Sequence, residues 1–178
     1  VAGDYCPRDR VAQKIANGDT DGLLASVKGT IVASDYAIVN FECAVADNQS
    51  KPIEKGGPNL TCMPEAVDVL KEVGFDCLTL ANNHMLDFGQ QGLDDTYAAL
   101  DSYGIPYGRE GQAQILETPT GLRVGLYTAF NSYAPNREKA VEAIGQLRAD
   151  GAVLDKLMGI PLELLQAKWL RDLWDPNF

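Results

Sequence analysis

Histidine is almost missing from this chain: His84 is the only one in 178 residues. A metal centre built from several imidazoles of this chain is thereby excluded. The four cysteines, Cys6, Cys43, Cys62 and Cys77, form no CxxC pair. With one histidine they cannot complete a zinc finger, and a disulfide framework is not expected in a domain of this size, so they read as buried free thiols. Positive charge is also scarce. Fifteen Lys and Arg stand against 25 Asp and Glu, a net charge of −10. Such a surface repels phosphate backbones and anionic headgroups, which argues against nucleic acid and membrane surfaces as partners. No run of 18 apolar residues occurs, so no membrane span is expected. The chain opens on Val1 rather than Met. No targeting signal is visible, and either a cytoplasmic or a cell-envelope location fits.

The composition is that of an ordinary globular protein, 46% apolar and 8% aromatic. The expectation is a single domain over 1–178 with a real core. Segments 36–41 (YAIVNF), 76–81 (DCLTLA) and 122–130 (LRVGLYTAF) are short apolar runs rich in strand formers. Helical patterns lie at 64–74, 92–104 and 135–151. The first has Pro64 near its start and Gly74 at its stop, and the second begins acidic and stops at Gly104. Alternating strands and helices predict an α/β layered sandwich with a mostly parallel or mixed sheet. Residues 45–61 form a polar, Gly/Pro-rich connection of 17 residues, long enough to suggest a functional loop. Residues 153–178 read as an atypical helical tail. Within it Leu162, Leu165, Trp169 and Leu173 form one stripe, for packing on the body or for another chain.

Three polar clusters stand where strands end: Asp4 in AGDY, Asn40 and Glu42 in NFE, and Asn82, Asn83 and His84 in NNH. In α/β sheets such ends carry the chemistry. Carboxylate, amide oxygen and imidazole are ligands for Mn²⁺, Fe or Zn²⁺, and a mainly oxygen set suits Mg²⁺ or Mn²⁺. Taken singly each cluster has a plain alternative: Asp after Gly as a turn, NNH as a helix cap.

Five segments, GDY, DYAIVNFE, KPIEKGGPNL, GFDCLTLANNHMLDFGQQGLDDTYAAL and GIPYGREG, together resemble the CapA family. These are bacterial capsule or poly-γ-glutamate biosynthesis proteins related to calcineurin-like metallophosphoesterases. The likeness runs over about residues 2–130, and its specific centre is ANNHxxDxG at 81–89. It implies a metallophosphatase-like α/β sandwich holding a divalent metal (Mn, Fe, Zn or Mg). Asp4, Glu42 and Asn83 are the implied ligands, with Asn40 and Asn82 beside them. His84 is implied as the acid near the leaving group, and Asn82 and Asp87 as the residues that hold its turn. The implied substrate is a phosphorylated or polyanionic small molecule or polymer.

The likeness also has a limit. The family's second half brings histidines in HWG and GHHPH-like elements, and neither occurs here. Three expectations arise from that: a member lacking the second half of the domain through truncation or frameshift near 152, a homo-oligomer or partner chain that supplies the histidines, or a non-catalytic binding module without a complete metal site. Thiolate ligation by Cys6 and Cys43, which flank the carboxylates, is the least favoured addition.

Overall fold

A computed structural model describes residues 1–46, 50–130, 134–152 and 154–158, with 134–136 and 154–158 as backbone only. The first sheet is parallel, built from β1 (Asp4–Tyr5), β2 (Ile38–Phe41), β3 (Cys77–Thr79) and β4 (Tyr107–Gly108) in that order. Consecutive parallel strands need crossovers, and helices supply them: α1 (Asp9–Ala16) and α2 (Ala25–Val32), then α3 (Ala66–Val73), then α4 (Gly89–Tyr103). One direction of winding puts all four helices on one face. There Ile15, Ile31, Val67, Leu70 and Leu100 bury against Val39, Phe41 and Leu78. The helix α3 ends as its sequence suggests, at Gly74 with φ of 105°, a left-handed conformation that glycine adopts without a Cβ penalty.

The second sheet is mixed. Strand β5 (Ala113–Glu117) runs antiparallel to β6 (Arg123–Thr128), and β6 runs parallel to β7 (Leu154–Met158). Alternation along the strands sets the layers. Leu126 points to Ile38 and Cys77 of the first sheet, whereas its neighbour Tyr127 packs with Ala140 and Leu147 of α5 (Ala134–Ala149). The order of layers is therefore helices, parallel sheet, mixed sheet, helix. A methyl at Gly108 would lie 2.7 Å from Thr128 Cγ2, so glycine lets the sheets approach there.

The α/β layered reading holds, and all three expected strands and helices are present, the strands and α3 with trimmed ends, whereas α4 and α5 begin earlier than expected and the first turn of α4 holds no acidic residue. Helices α1 and α2 and strands β4 and β5 were not anticipated. The helical tail expected from 153 is corrected at its start, because Leu154–Met158 is strand, laid along β6 where Val124 to Thr128 offer a free ladder edge. The Leu162–Leu173 stripe lies outside the described residues. No helix among the described residues is long and apolar enough to cross a membrane.

Candidate functional site

Parallel pairing sets three chain segments side by side. Asp4 is in register with Asn40, and Asn40 with Thr79, so the residues after each strand emerge at one sheet edge. Asn40 Nδ2 donates to Asp4 Oδ1 at 2.8 Å, and its Oδ1 accepts from Asn82 Nδ2 at 3.2 Å and from Thr79 Oγ1 at 3.4 Å. Asn82 Nδ2 also donates to the Phe41 carbonyl at 3.0 Å, while its Oδ1 accepts the His84 N–H at 3.0 Å. Both amides therefore act as internal ties. They orient Asp4 and the 82–84 turn, and each oxygen is already engaged by the protein. Asn83 stands exposed between them, and its amide makes no hydrogen bond among the described residues. The NNH turn does not cap a helix, since α4 begins only at Gly89.

Glu42 meets Asp4 within hydrogen-bonding reach. Burial, that hydrogen bond and the Asp4 charge together push the Glu42 carboxyl up, against a smaller downward pull from His84. His84 Nε2 lies 3.9 Å from Glu42 Oε1, and the two side chains are 13% and 20% exposed, so both still meet solvent.

On the other side of the ring, His84 Nδ1 lies 2.8 Å from Asp87 Oδ2. Asp87 is fully buried. Burial alone would raise its carboxyl, but hydrogen bonds from Lys55, His84 and the Leu60 N–H outweigh it and hold Asp87 below the ordinary carboxylate value. Lys55 is the residue that sequence reasoning missed. Its Nζ forms an ion pair with Asp87 Oδ1 and lies 3.4 Å from His84 Nδ1. Lys55 belongs to KPIEKGGPNL, but nothing in that string tells Lys55 from Lys51. A partner 32 residues away becomes visible only in three dimensions.

Cys43 lies against the Tyr5 carbonyl at 4.0 Å and is completely buried. The Cys6 thiol is raised by its hydrogen bond with Cys43 and by burial. Cys43 is lowered by Cys6, but the bond to Cys62 and burial win, so it too is raised. Thiols in that condition are poor ligands, and all four cysteines are free thiols. Among the described residues no three His, Cys, Asp or Glu side chains are set to hold an ion.

Comparison with known proteins decides the family. The model of the bacterial capsule synthesis protein PGA_cap matches residues 1–154. The chain belongs to the PGA_cap family. A capsule biosynthesis protein CapA from Bacillus anthracis is 33% identical over 164 residues, covering 88% of this chain and 40% of that protein. An uncharacterized protein of Sinorhizobium fredii is 32% identical over 150 residues, covering 78% of this chain and 32% of its own length. A probable polyglutamine synthesis accessory protein of Mycobacterium tuberculosis is 39% identical over 77 residues, 41% of this chain and 19% of that protein. The chain thus spans about a third to two fifths of the first two relatives, whereas the PGA_cap match covers nearly all its described residues. The site residues, from Asp4 to Asp87, lie wholly within that PGA_cap match.

Proposed function

We propose that this PGA_cap chain contributes a metal-assisted phosphoryl site to capsule or poly-γ-glutamate biosynthesis, hydrolysing or transferring a phosphoryl group on a polyanionic substrate. The observation that carries the reading is the close Asp4–Glu42 carboxyl pair beside the one imidazole. Two carboxyls in mutual reach favour sharing either a proton or a cation, and a divalent ion relieves their repulsion. The donor chemistry fits one hard ion, Mg²⁺ or Mn²⁺, held by Asp4 and Glu42 with Asn83 as the amide not tied up elsewhere. When bound, such an ion polarises a phosphoryl oxygen and lowers the pKa of a water.

The chain's own residues do the rest. Asn40 holds Asp4 in place through 2.8 Å. Asn82 ties the turn to β2, so His84 stays beside Glu42. With Nδ1–H directed at Asp87, the Nε2 of His84 faces the carboxyl pair, where it can give a proton to a leaving oxygen once the ring carries a proton on both nitrogens. Asp87 keeps the ring oriented.

A non-catalytic binding module is the second reading, favoured by the lack of a three-residue ligand group among the described residues. Mn²⁺ titration followed by EPR, with p-nitrophenyl phosphate hydrolysis in parallel, separates the two. The catalytic reading expects one Mn²⁺ per chain, affinity at least tenfold weaker in Glu42→Gln, and hydrolysis lost in His84→Ala with the fold intact. No saturable Mn²⁺ binding by wild type defeats it, and binding without any turnover leaves the module reading standing.

A further inference from the structure

We infer that Lys55 is a positioning residue of this site: its ammonium holds Asp87 as the carboxylate that keeps the His84 ring in one tautomer, with the proton on Nδ1. The inference deepens the catalytic reading and rests on it only for the use made of Nε2.

The geometry sets up a competition at one nitrogen. Nδ1 of His84 has Asp87 Oδ2 at 2.8 Å and Lys55 Nζ at 3.4 Å. The carboxylate can only accept and the ammonium can only donate, so they demand opposite states of Nδ1. The shorter contact belongs to Asp87, and Lys55 is satisfied elsewhere by its ion pair with Asp87 Oδ1. Nδ1 therefore carries the proton, and Nε2 is left toward Glu42, 3.9 Å away.

Asp87 can act in this way only as an anion, and it is fully buried. A buried carboxylate is costly without a counter-charge and donors. The counter-charge is Lys55, and the further donor is the Leu60 N–H, at 2.6 Å from Oδ2. Both come from the 50–60 segment. Its grip on the turn is completed by the Ile53 N–H donating to the Asp87 carbonyl at 2.9 Å and by Asn59 Nδ2 donating to the Ile53 carbonyl at 2.9 Å. The long connection thus acts as a strap that delivers one cation to the back of the histidine. Without that cation Asp87 would take up a proton or turn away. A neutral carboxyl can donate to Nδ1, which places the ring proton on Nε2 instead.

A single histidine makes the test unambiguous, because every imidazole signal comes from His84. The protein is labelled with ¹⁵N-histidine and measured at about pH 8.5, some two units above the ordinary imidazole pKa. Wild type should show Nδ1 as the protonated nitrogen, with an Overhauser contact from its proton to slowly exchanging Lys55 ammonium protons. In Lys55→Gln the Nε2–H fraction should rise at least threefold, and Lys55→Arg should keep the wild-type pattern. In phosphatase assays Lys55→Gln should lower kcat roughly tenfold with KM within about twofold, and Lys55→Arg should recover most of it. A wild-type tautomer in folded Lys55→Gln, or an unchanged kcat there, overturns the inference. If Lys55→Gln does not fold, freely exchanging Lys55 ammonium protons in wild type overturn it. The tautomer measurement needs no turnover, so an inactive protein with the expected tautomers would defeat the catalytic reading and leave the role of Lys55 standing.

Discussion

Asp87 is the residue on which the site turns. It receives Lys55, His84 and the Leu60 N–H on its carboxylate, and its carbonyl takes the Ile53 N–H. Its carboxyl lies below the ordinary value in the folded protein. The unfolded reference is about 3.9. The stability it contributes is therefore present above that value and disappears as pH falls through the lower folded value. Urea unfolding between about pH 2 and pH 7 should show that acid loss in wild type and a flatter profile in Asp87→Asn. At neutral pH Asp87→Ala should cost on the order of 3 kcal/mol, because it strands the Lys55 ammonium. Equal acid profiles for wild type and Asp87→Asn would remove Asp87 from this role. The HxxD spacing of His84 and Asp87 announced their contact. It did not announce Lys55, nor that the amides of Asn40 and Asn82 would be consumed by protein partners.

At the scale of elements, the closest fit is between the sheets. Gly108 in β4 faces Thr128 and Leu126 of β6, and an added methyl would come within 2.7 Å of one and 3.1 Å of the other. Neither atom can retreat freely, since Leu126 is fully buried and Thr128 Oγ1 is bonded to the Arg109 carbonyl at 2.5 Å. Gly108→Ala should therefore lose about 1–3 kcal/mol by overpacking, read from the urea midpoint with an unchanged m value. No loss would mean the two sheets are more loosely joined than these distances require. Nearby, Arg109 lies 4.1 Å over the Tyr97 ring, and Tyr97 stacks on Tyr107 at 5.6 Å, which clamps α4 to the outer edge of β4. Periodicity found α4 but not β4, because a two-residue strand has no period to read.

For the whole molecule, charge is the governing quantity. A net −10 on 178 residues makes the folded state repel itself. Raising NaCl from about 0.02 to 0.3 M shortens the screening length severalfold and should raise the melting temperature. Mn²⁺ at about a hundred times its wild-type Kd should add about 2.7 kcal/mol beyond that, and the increment should fall to about 1.4 kcal/mol or less in Glu42→Gln while the NaCl effect remains. A Mn²⁺ increment equal in wild type and variant would assign it to general screening instead of the carboxyl pair.

The amino-acid sequence by itself determined the alternation of strand and helix, the helix stops at Gly74 and Gly104, and the placement of Glu42 and His84 beyond the ends of β2 and β3, whereas Asp4 proved to open β1. Those features depend on apolar spacing and backbone preference within about a dozen residues, which a linear reading captures. Only the tertiary structure decided that two sheets stack with Gly108 between them, that Leu154–Met158 joins β6 as a strand, and that Lys55 reaches Asp87. Each of these is a choice among many partners far apart along the chain. It is settled by burial, where an unpaired ladder edge or an uncompensated carboxylate costs more than any local preference can offset.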